Sequence, residues 1–300
     1  MTTGLLVWLV LYVSNCNFLV QVYLLYSALA WRDLKDETAK VIEALMRKDF
    51  PQKVVDRENM KYENVPDLMN KKLLEDDDAL TKKNSHEAAT ETSTSKNLIE
   101  ARKYLSFVVG RDTQNLNETE ILRALIETIA ENSVDGVFSV LFFAAVGQFI
   151  NASYGMALCV WTFKAASTLD SMIGYEKFHE FGTASARLDD ILNFLPARFG
   201  GIIIIFAGAL TGCNVKRAMK VFLNDRLKHK SPNSAHGESA FAGVLDVRLG
   251  GGAFYSGTFE PRPSINSEGR EPEIVDVMRA WKLLDVSCST FAVIIYILMC

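Results

Sequence analysis

The sequence predicts an all-α, polytopic membrane protein with re-entrant or hairpin helices and polar cytoplasmic loops. Three observations carry that prediction. From Gly4 to Trp31 no side chain is charged, and at about 1.5 Å per residue such a helix covers about 42 Å, enough to cross a hydrocarbon core with tilt. Further apolar runs follow at Val137 to Trp161, Phe199 to Cys213 and Val286 to Cys300. Between them, apolar residues recur at helical rather than alternating spacing.

Residues 1–31 read as a transmembrane helix, since a cleaved signal would need a basic start and an A-x-A site that the run lacks. Arg32, Lys35 and Lys40 follow directly with no basic residue before the run, so the positive-inside rule places the amino terminus outside and residue 32 onward in the cytoplasm. Residues 32–50 form a cytoplasmic helix, with Leu34, Thr38, Val41, Ile42 and Leu45 on one face of Asp33 to Lys48. Residues 51–97 carry EDDD, KKN and TETSTS with few large apolar side chains and read as a flexible polar insertion.

Order returns near Leu98 and opens a membrane-embedded catalytic domain over residues 98–300. Asn117 and Glu120 have the spacing of a capping box, so a helix starts there. Its apolar stripe is Ile121, Leu122, Leu125, Ile126 and Ile129, while Arg123, Glu127, Glu131 and Asp135 recur every fourth residue as a charged ladder with Arg123 as counter-cation. The next apolar run is interrupted at Gly147, Asn151 and Gly155. Of its two topologies, a straight span or two half-helices of about 12 residues, the hairpin is favoured, because it returns the flanking charged clusters to one face of the membrane. The glycine-rich stretch SPNSAHGESAFAGVLDVRLGGGAFYSG shows no helical period and reads as loops packed on the membrane helices.

The net charge of -4 includes no Lys/Arg block interleaved with aromatics, so nucleic acid is not an implied partner. The five cysteines form no C-x-x-C pair and the four histidines no H-x-x-x-H spacing, which argues against a disulfide framework and a zinc site. There is no Walker loop and no G-x-S-x-G.

The chemistry is expected in two clusters flanking the second apolar run. The first holds Arg111, Asp112, Glu127, Glu131, Asn132 and Asp135; the second holds Lys164, Asp170, Arg187, Asp189, Asp190, Asn193 and Arg198. Carboxylates at one-turn spacing can be a solvated face, but crowded against membrane segments they suit Mg2+, which takes a few carboxylates with phosphates and water. A lysine in an apolar helix needs a cavity, a partner or an anion unless it snorkels. Asp189 and Asn193 fall on one helical face, and the glycines near Arg248 can offer backbone N–H groups to an anion.

The runs GRDT, RALIETIAENSVDG, KAASTLDSMIGY, FGTASARLDDILNFLPAR, SPNSAHGESAFAG and LDVRLGGGAFYSG closely resemble the adenosylcobinamide-phosphate synthase family of cobalamin biosynthesis. The resemblance covers residues 20 to 50 and 98 to 285. It implies a multi-pass ligase of the cell (inner) membrane that joins aminopropanol, or its O-phosphate, in amide linkage to the propionate carboxylate of adenosylcobyric acid. ATP is the implied driver, Mg2+ the implied metal, and corrinoid, aminopropanol phosphate and the lipid bilayer the implied partners, with a homo-oligomer or other corrinoid-pathway membrane proteins as further ones. On that basis Asp112, Glu127, Glu131, Lys164 and Asp170 are candidate catalytic residues. Arg111, Asn132, Arg187, Asn193, Arg198, Asn233, Glu238 and Arg248 are candidate substrate contacts, and Asp135, Asp189 and Asp190 candidate metal ligands. The chain departs from the family pattern in its shorter region before the first helix and its longer polar tract at 52–96. A non-catalytic membrane sensor of the same architecture is the rival reading.

Overall fold

The computed structural model describes residue 12 and residues 18–46, 87–173 and 179–299. Helices dominate: α1 (Phe18–Ala28), α2 (Trp31–Met46), α3 (Glu87–Leu105), α4 (Glu118–Ser133), α5 (Ser139–Ile150), α6 (Gly155–Ile173), α7 (His179–Leu210), α8 (Val215–Asp225), α9 (Ser234–Leu245) and α10 (Ile274–Met299). The strands are very short: β1 (Leu249–Gly250) pairs antiparallel with β4 (Ser264–Ile265), and β2 (Ala253–Tyr255) with β3 (Thr258–Glu260). Among the described residues three stretches are long and apolar enough to cross a membrane: Glu118–Ile150, Gly182–Leu210 and Ile274–Leu298. The all-α membrane architecture is as the sequence predicts.

About half of the first apolar run lies outside the described residues, and so does most of the 51–97 insertion, whose described part is the start of α3. That helix begins at Glu87, earlier than the return of order expected near Leu98.

Asn117 opens α4 as its spacing requires. Its side chain accepts from Glu120 N at 2.9 Å, and the Glu120 carboxylate accepts from Asn117 N at 2.8 Å. The stripe from Ile121 to Ile129 is buried. α4 runs into α5 through a π-helical turn, Val134–Phe138, and the Gly136 carbonyl accepts from Ala30 N at 3.2 Å. A π turn rearranges the backbone ladder, and here a carbonyl in it meets an amide at the start of α2, whose first N–H groups have no partner within their own helix.

α5 and α6 form the expected hairpin. Asn151 Oδ1 accepts from Ser153 N at 2.9 Å and Tyr154 N at 3.2 Å, turning the chain. Gly147 and Gly155 let the arms touch, since a Cβ built on either would stand about 2 Å from the other's carbonyl oxygen. The arms exceed the expected half-helices: α6 has 19 residues, and α5 continues the rod of α4.

The expectation of loops over Ser231 to Gly257 is corrected. Ser234–Leu245 is the helix α9, and every residue of it after Ser234 is buried. A helix covered on all sides shows no amphipathic period, so the pattern test misses it. Gly237 packs on α4, where an added Cβ would meet Ala130 O at 2.6 Å. α10 is tied to α2 by Lys35 Nζ to Asp285 at 2.6 Å and by Trp281 Nε1 donating to Thr38 Oγ1 at 2.9 Å.

Candidate active site

Two cavities share the charged face of α4. The smaller, of roughly 10 Å³, is lined by Arg111, Glu127, His229, Glu238, Gly250, Gly252, Ala253 and Arg262. α4 supplies Glu127, α9 supplies Glu238, and the loop after α8 supplies His229. Arg111 Nη2 donates to Glu127 Oε2 at 2.5 Å, and Gly250 N donates to Glu127 Oε1 at 2.7 Å. Glu127 therefore fastens the GRDT loop and the glycine run to the central helix. His229 Nε2 stands 3.5 Å from Glu238 Oε2. Burial, and then the charges of Glu127 and Glu131, push the Glu238 carboxyl well above the usual carboxylate range. Burial and the Arg262 charge push the His229 imidazole down.

The larger cavity, of roughly 400 Å³, gathers Glu131 and Asp135 from α4 and its π turn, Asp170 from α6, Asp189, Asp190 and Asn193 from α7, and Lys230, Ser231, Asn233 and Ser234 from the entry to α9. Both charged clusters of the sequence thus reach one space. Asn193 Nδ2 donates to Asp189 Oδ2 at 2.9 Å, the one-face relation that i, i+4 spacing requires, while its Oδ1 accepts from Ser139 Oγ at 2.5 Å. Asp189 Oδ1 is buried with no hydrogen-bond partner among the described residues. Asp190 anchors the opposite wall, accepting from Ser231 Oγ at 2.7 Å and, through its carbonyl, from Asn233 Nδ2 at 2.8 Å. Lys164 is within Coulombic reach of Asp135 and Asp189.

Other candidates stand elsewhere. Asp112 accepts from Ser256 N at 3.2 Å and Gly257 N at 2.7 Å, so it holds the tip of the β2–β3 hairpin and lines neither cavity. Asn132 donates to Thr128 O on its own helix at 3.0 Å. Arg187 is exposed and lines neither cavity. Arg198 stacks on Phe194, 3.3 Å from the ring centroid, and reaches Asn233 Oδ1 at 3.3 Å. Arg248 is paired with Glu271 at the surface and lines neither cavity. Arg123 also pairs with Glu271, at 2.7 Å, so the counter-cation of the α4 ladder is Arg111, contributed from another loop. Sequence spacing gave no warning of Arg262, His229 or Lys230, because each lies on a connection whose path only the tertiary fold sets.

Among the described residues no group of three or more His, Cys, Asp or Glu is arranged to hold a metal ion. The carboxylates of the larger cavity, one with an orphaned oxygen, fit a cation that draws its remaining ligands from water and phosphate.

Residues 79–284, well over half of the chain, match the family described as CobD/Cbib protein. The chain belongs to the CobD/CbiB family. All residues lining the two cavities fall inside the matched segment. Relatives include the cobalamin biosynthesis protein CobD of Clostridium perfringens, 41% identical over 68% of this chain and 62% of that protein. CobD of Pelobacter propionicus is 50% identical over 52% of this chain and 47% of that protein. CbiB of Salmonella choleraesuis is 41% identical over 67% of this chain and 60% of that protein. The chain thus spans about half to three fifths of the length of these CobD/CbiB relatives. No solved structure matches it.

Proposed function

We propose that the chain is an ATP-dependent acid–amine ligase of cobalamin biosynthesis, multi-pass in the cell (inner) membrane, joining aminopropanol or its O-phosphate to the propionate carboxylate of adenosylcobyric acid. The observation that carries this reading is the convergence of Glu131, Asp135, Asp170, Asp189 and Asp190, from stretches far apart in sequence, on one cavity. The names of the relatives place those proteins in cobalamin biosynthesis.

Amide formation from a carboxylate needs its oxygen made into a leaving group. In this reading the propionate oxygen attacks the terminal phosphorus of ATP and ADP departs. The ammonium gives up one proton to free its lone pair, the amine nitrogen then attacks the acyl carbon, and phosphate departs carrying the nitrogen's second proton as hydrogen phosphate. Asp189, whose Oδ1 has no partner among the described residues, would hold Mg2+ together with water and substrate phosphate rather than as one of three carboxylate ligands with Asp135 and Asp190, and the ion would neutralise phosphate charge. Glu131 is placed to take the ammonium proton. Lys164 and Lys230 offset the phosphate charge, and Ser231 and Asn233 orient the substrate.

Incubating membranes containing the chain with cobyric acid, ATP, Mg2+ and aminopropanol phosphate is expected to yield the amide, read by mass. Membranes that carry the protein yet form no amide would refute the ligase and favour a sensor.

A further inference from the structure

Where α8 runs back along α7, two arginines stand together without a carboxylate. A Cβ built on Gly201 would meet the Phe222 ring at 2.4 Å, and this close approach brings Arg226, at the end of α8, within Coulombic reach of Arg198 on α7. Arg198 Nη1 donates to Phe194 O at 2.6 Å and to Asn233 Oδ1 at 3.3 Å. Arg226 lies over the Phe222 ring, 6.0 Å from its centroid, and its Nε is buried with no hydrogen-bond partner among the described residues. Nearby acids are already engaged: Asp225 by Lys228 Nζ and Asn266 N, each at 2.7 Å, and Asp190 by Ser231 Oγ at 2.7 Å. His236 is fully buried, meets Phe222 edge-on at 5.8 Å, and has neither ring nitrogen hydrogen-bonded among the described residues. Burial, and then the charges of Arg198 and Arg226, push its imidazole down to about 4, so it is neutral and offers the arginines no counter-charge. Two unanswered guanidinia repel each other, and an anion between them removes that repulsion.

The flanks select the anion. From Asn193 to Leu210 α7 carries no charged side chain except Arg198, which lies five residues, about 8 Å, beyond Asn193. Its bond to Phe194 O turns the guanidinium back toward the polar end of the helix, as arginines near the end of a membrane span do. Around it Phe194, Leu195 and Phe199 are exposed, and beside Arg226 so are Leu223 and Leu227, each by 46% or more. A free phosphate would use the guanidinia and leave that apolar rim unused, whereas a phospholipid uses both. A zwitterionic headgroup brings its own cation, so the pair favours an acidic one.

We infer that Arg198 and Arg226 seat the phosphodiester of an acidic phospholipid, with its acyl chains on the exposed apolar side chains of α7 and α8. Neither arginine lines either cavity. The seat nevertheless adjoins the larger one through Asn233, which takes Arg198 on Oδ1 and donates from Nδ2 to Asp190 O. A bound lipid therefore steadies one wall of that cavity.

The test is native mass spectrometry of the purified full chain in detergent with dioleoyl phosphatidylglycerol, dioleoyl phosphatidylcholine and inorganic phosphate. Phosphatidylglycerol is expected to bind at least about tenfold more tightly than phosphatidylcholine and to stay bound in excess inorganic phosphate. In the wild type it should also shield Arg198 and Arg226 from phenylglyoxal, read by peptide mass. Arg226→Ala lowers the preference to about threefold or less, and Arg226→Lys, which retains the charge, keeps most of it. Equal affinity for the two lipids overturns the assignment. So does phosphatidylglycerol binding that leaves both arginines open to phenylglyoxal, a folded Arg226→Ala chain with the full preference, or displacement of the lipid by inorganic phosphate, which marks a site for a free anion. Shielding is read on the wild type, so a variant that fails to fold does not remove the test, and no outcome depends on whether the chain forms the amide.

Discussion

The two cavities flank the same face of α4 and differ in how their charges are balanced. In the small pocket Glu127 is matched by Arg111 and by Gly250 N–H, with side chains only 7% and 15% exposed for the acid and the arginine. In the large cavity five carboxylates share one lining lysine, Lys230, with Lys164 in reach, and Asp189 keeps an oxygen without a partner. A matched buried pair holds a loop to a helix and is missed when one member goes. Unmatched carboxylates do not stabilise the fold; they suit a cation or substrate that arrives from outside.

That contrast breaks most visibly at Glu127. Glu127→Ala leaves a buried guanidinium without its carboxylate, and the expected loss is about 3–5 kcal/mol, seen as a lower unfolding temperature in detergent. Asp189→Asn should instead leave that temperature unchanged or higher, because it removes a charge that a single hydrogen bond from Asn193 leaves half satisfied, while amide formation falls roughly hundredfold. Equal destabilisation by the two would erase the distinction. Added Mg2+ should raise the unfolding temperature of the wild type more than that of Asp189→Asn, by mass action on a bound state.

Glu238 sharpens the comparison through pH. Its carboxyl is raised by burial and by Glu127 and Glu131, so the folded chain keeps a proton that the unfolded chain gives up in the ordinary carboxylate range. Its contribution is complete below that range and is lost as pH rises through the raised value. Unfolding temperature should therefore decline more steeply in the wild type than in Glu238→Gln as pH rises above the ordinary carboxylate range. Identical slopes would place the titrating group elsewhere. The smallest effect belongs to Arg248, whose pair with Glu271 is 44% and 40% exposed. Arg248→Ala should cost no more than about 1 kcal/mol and leave amide formation near the wild-type rate. A large loss of turnover would return Arg248 to the site.

Local chemistry was readable wherever neighbours in sequence decide it. The Asn117–Glu120 capping box, the buried Ile121 to Ile129 stripe and the Asp189–Asn193 bond all depend on fixed offsets along one helix. The α5–α6 hairpin was readable because Gly147, Asn151 and Gly155 break an apolar run at a spacing that lets the arms touch. α9 was not readable, since full burial with small residues removes the period that marks a helix. The ladder's partner was misplaced for a related reason: spacing offered Arg123, yet Glu271 from the start of α10 takes it, and Arg111 from the GRDT loop meets Glu127.

The order of apolar and charged segments established a helical membrane protein and the residue types of its chemistry, because hydropathy and helical offsets are properties of the chain itself, and the motif runs from GRDT to LDVRLGGGAFYSG carried the family resemblance. Which charges meet was decided only in three dimensions. Arg262, His229 and Lys230 acquire their place from the path of loops between helices, and the partition of one acidic face into a matched pocket and an unmatched cavity follows from what α7, α9 and the glycine run set against it. Coulombic interaction and desolvation depend on distance and burial, and neither is written in the spacing of residues along the chain.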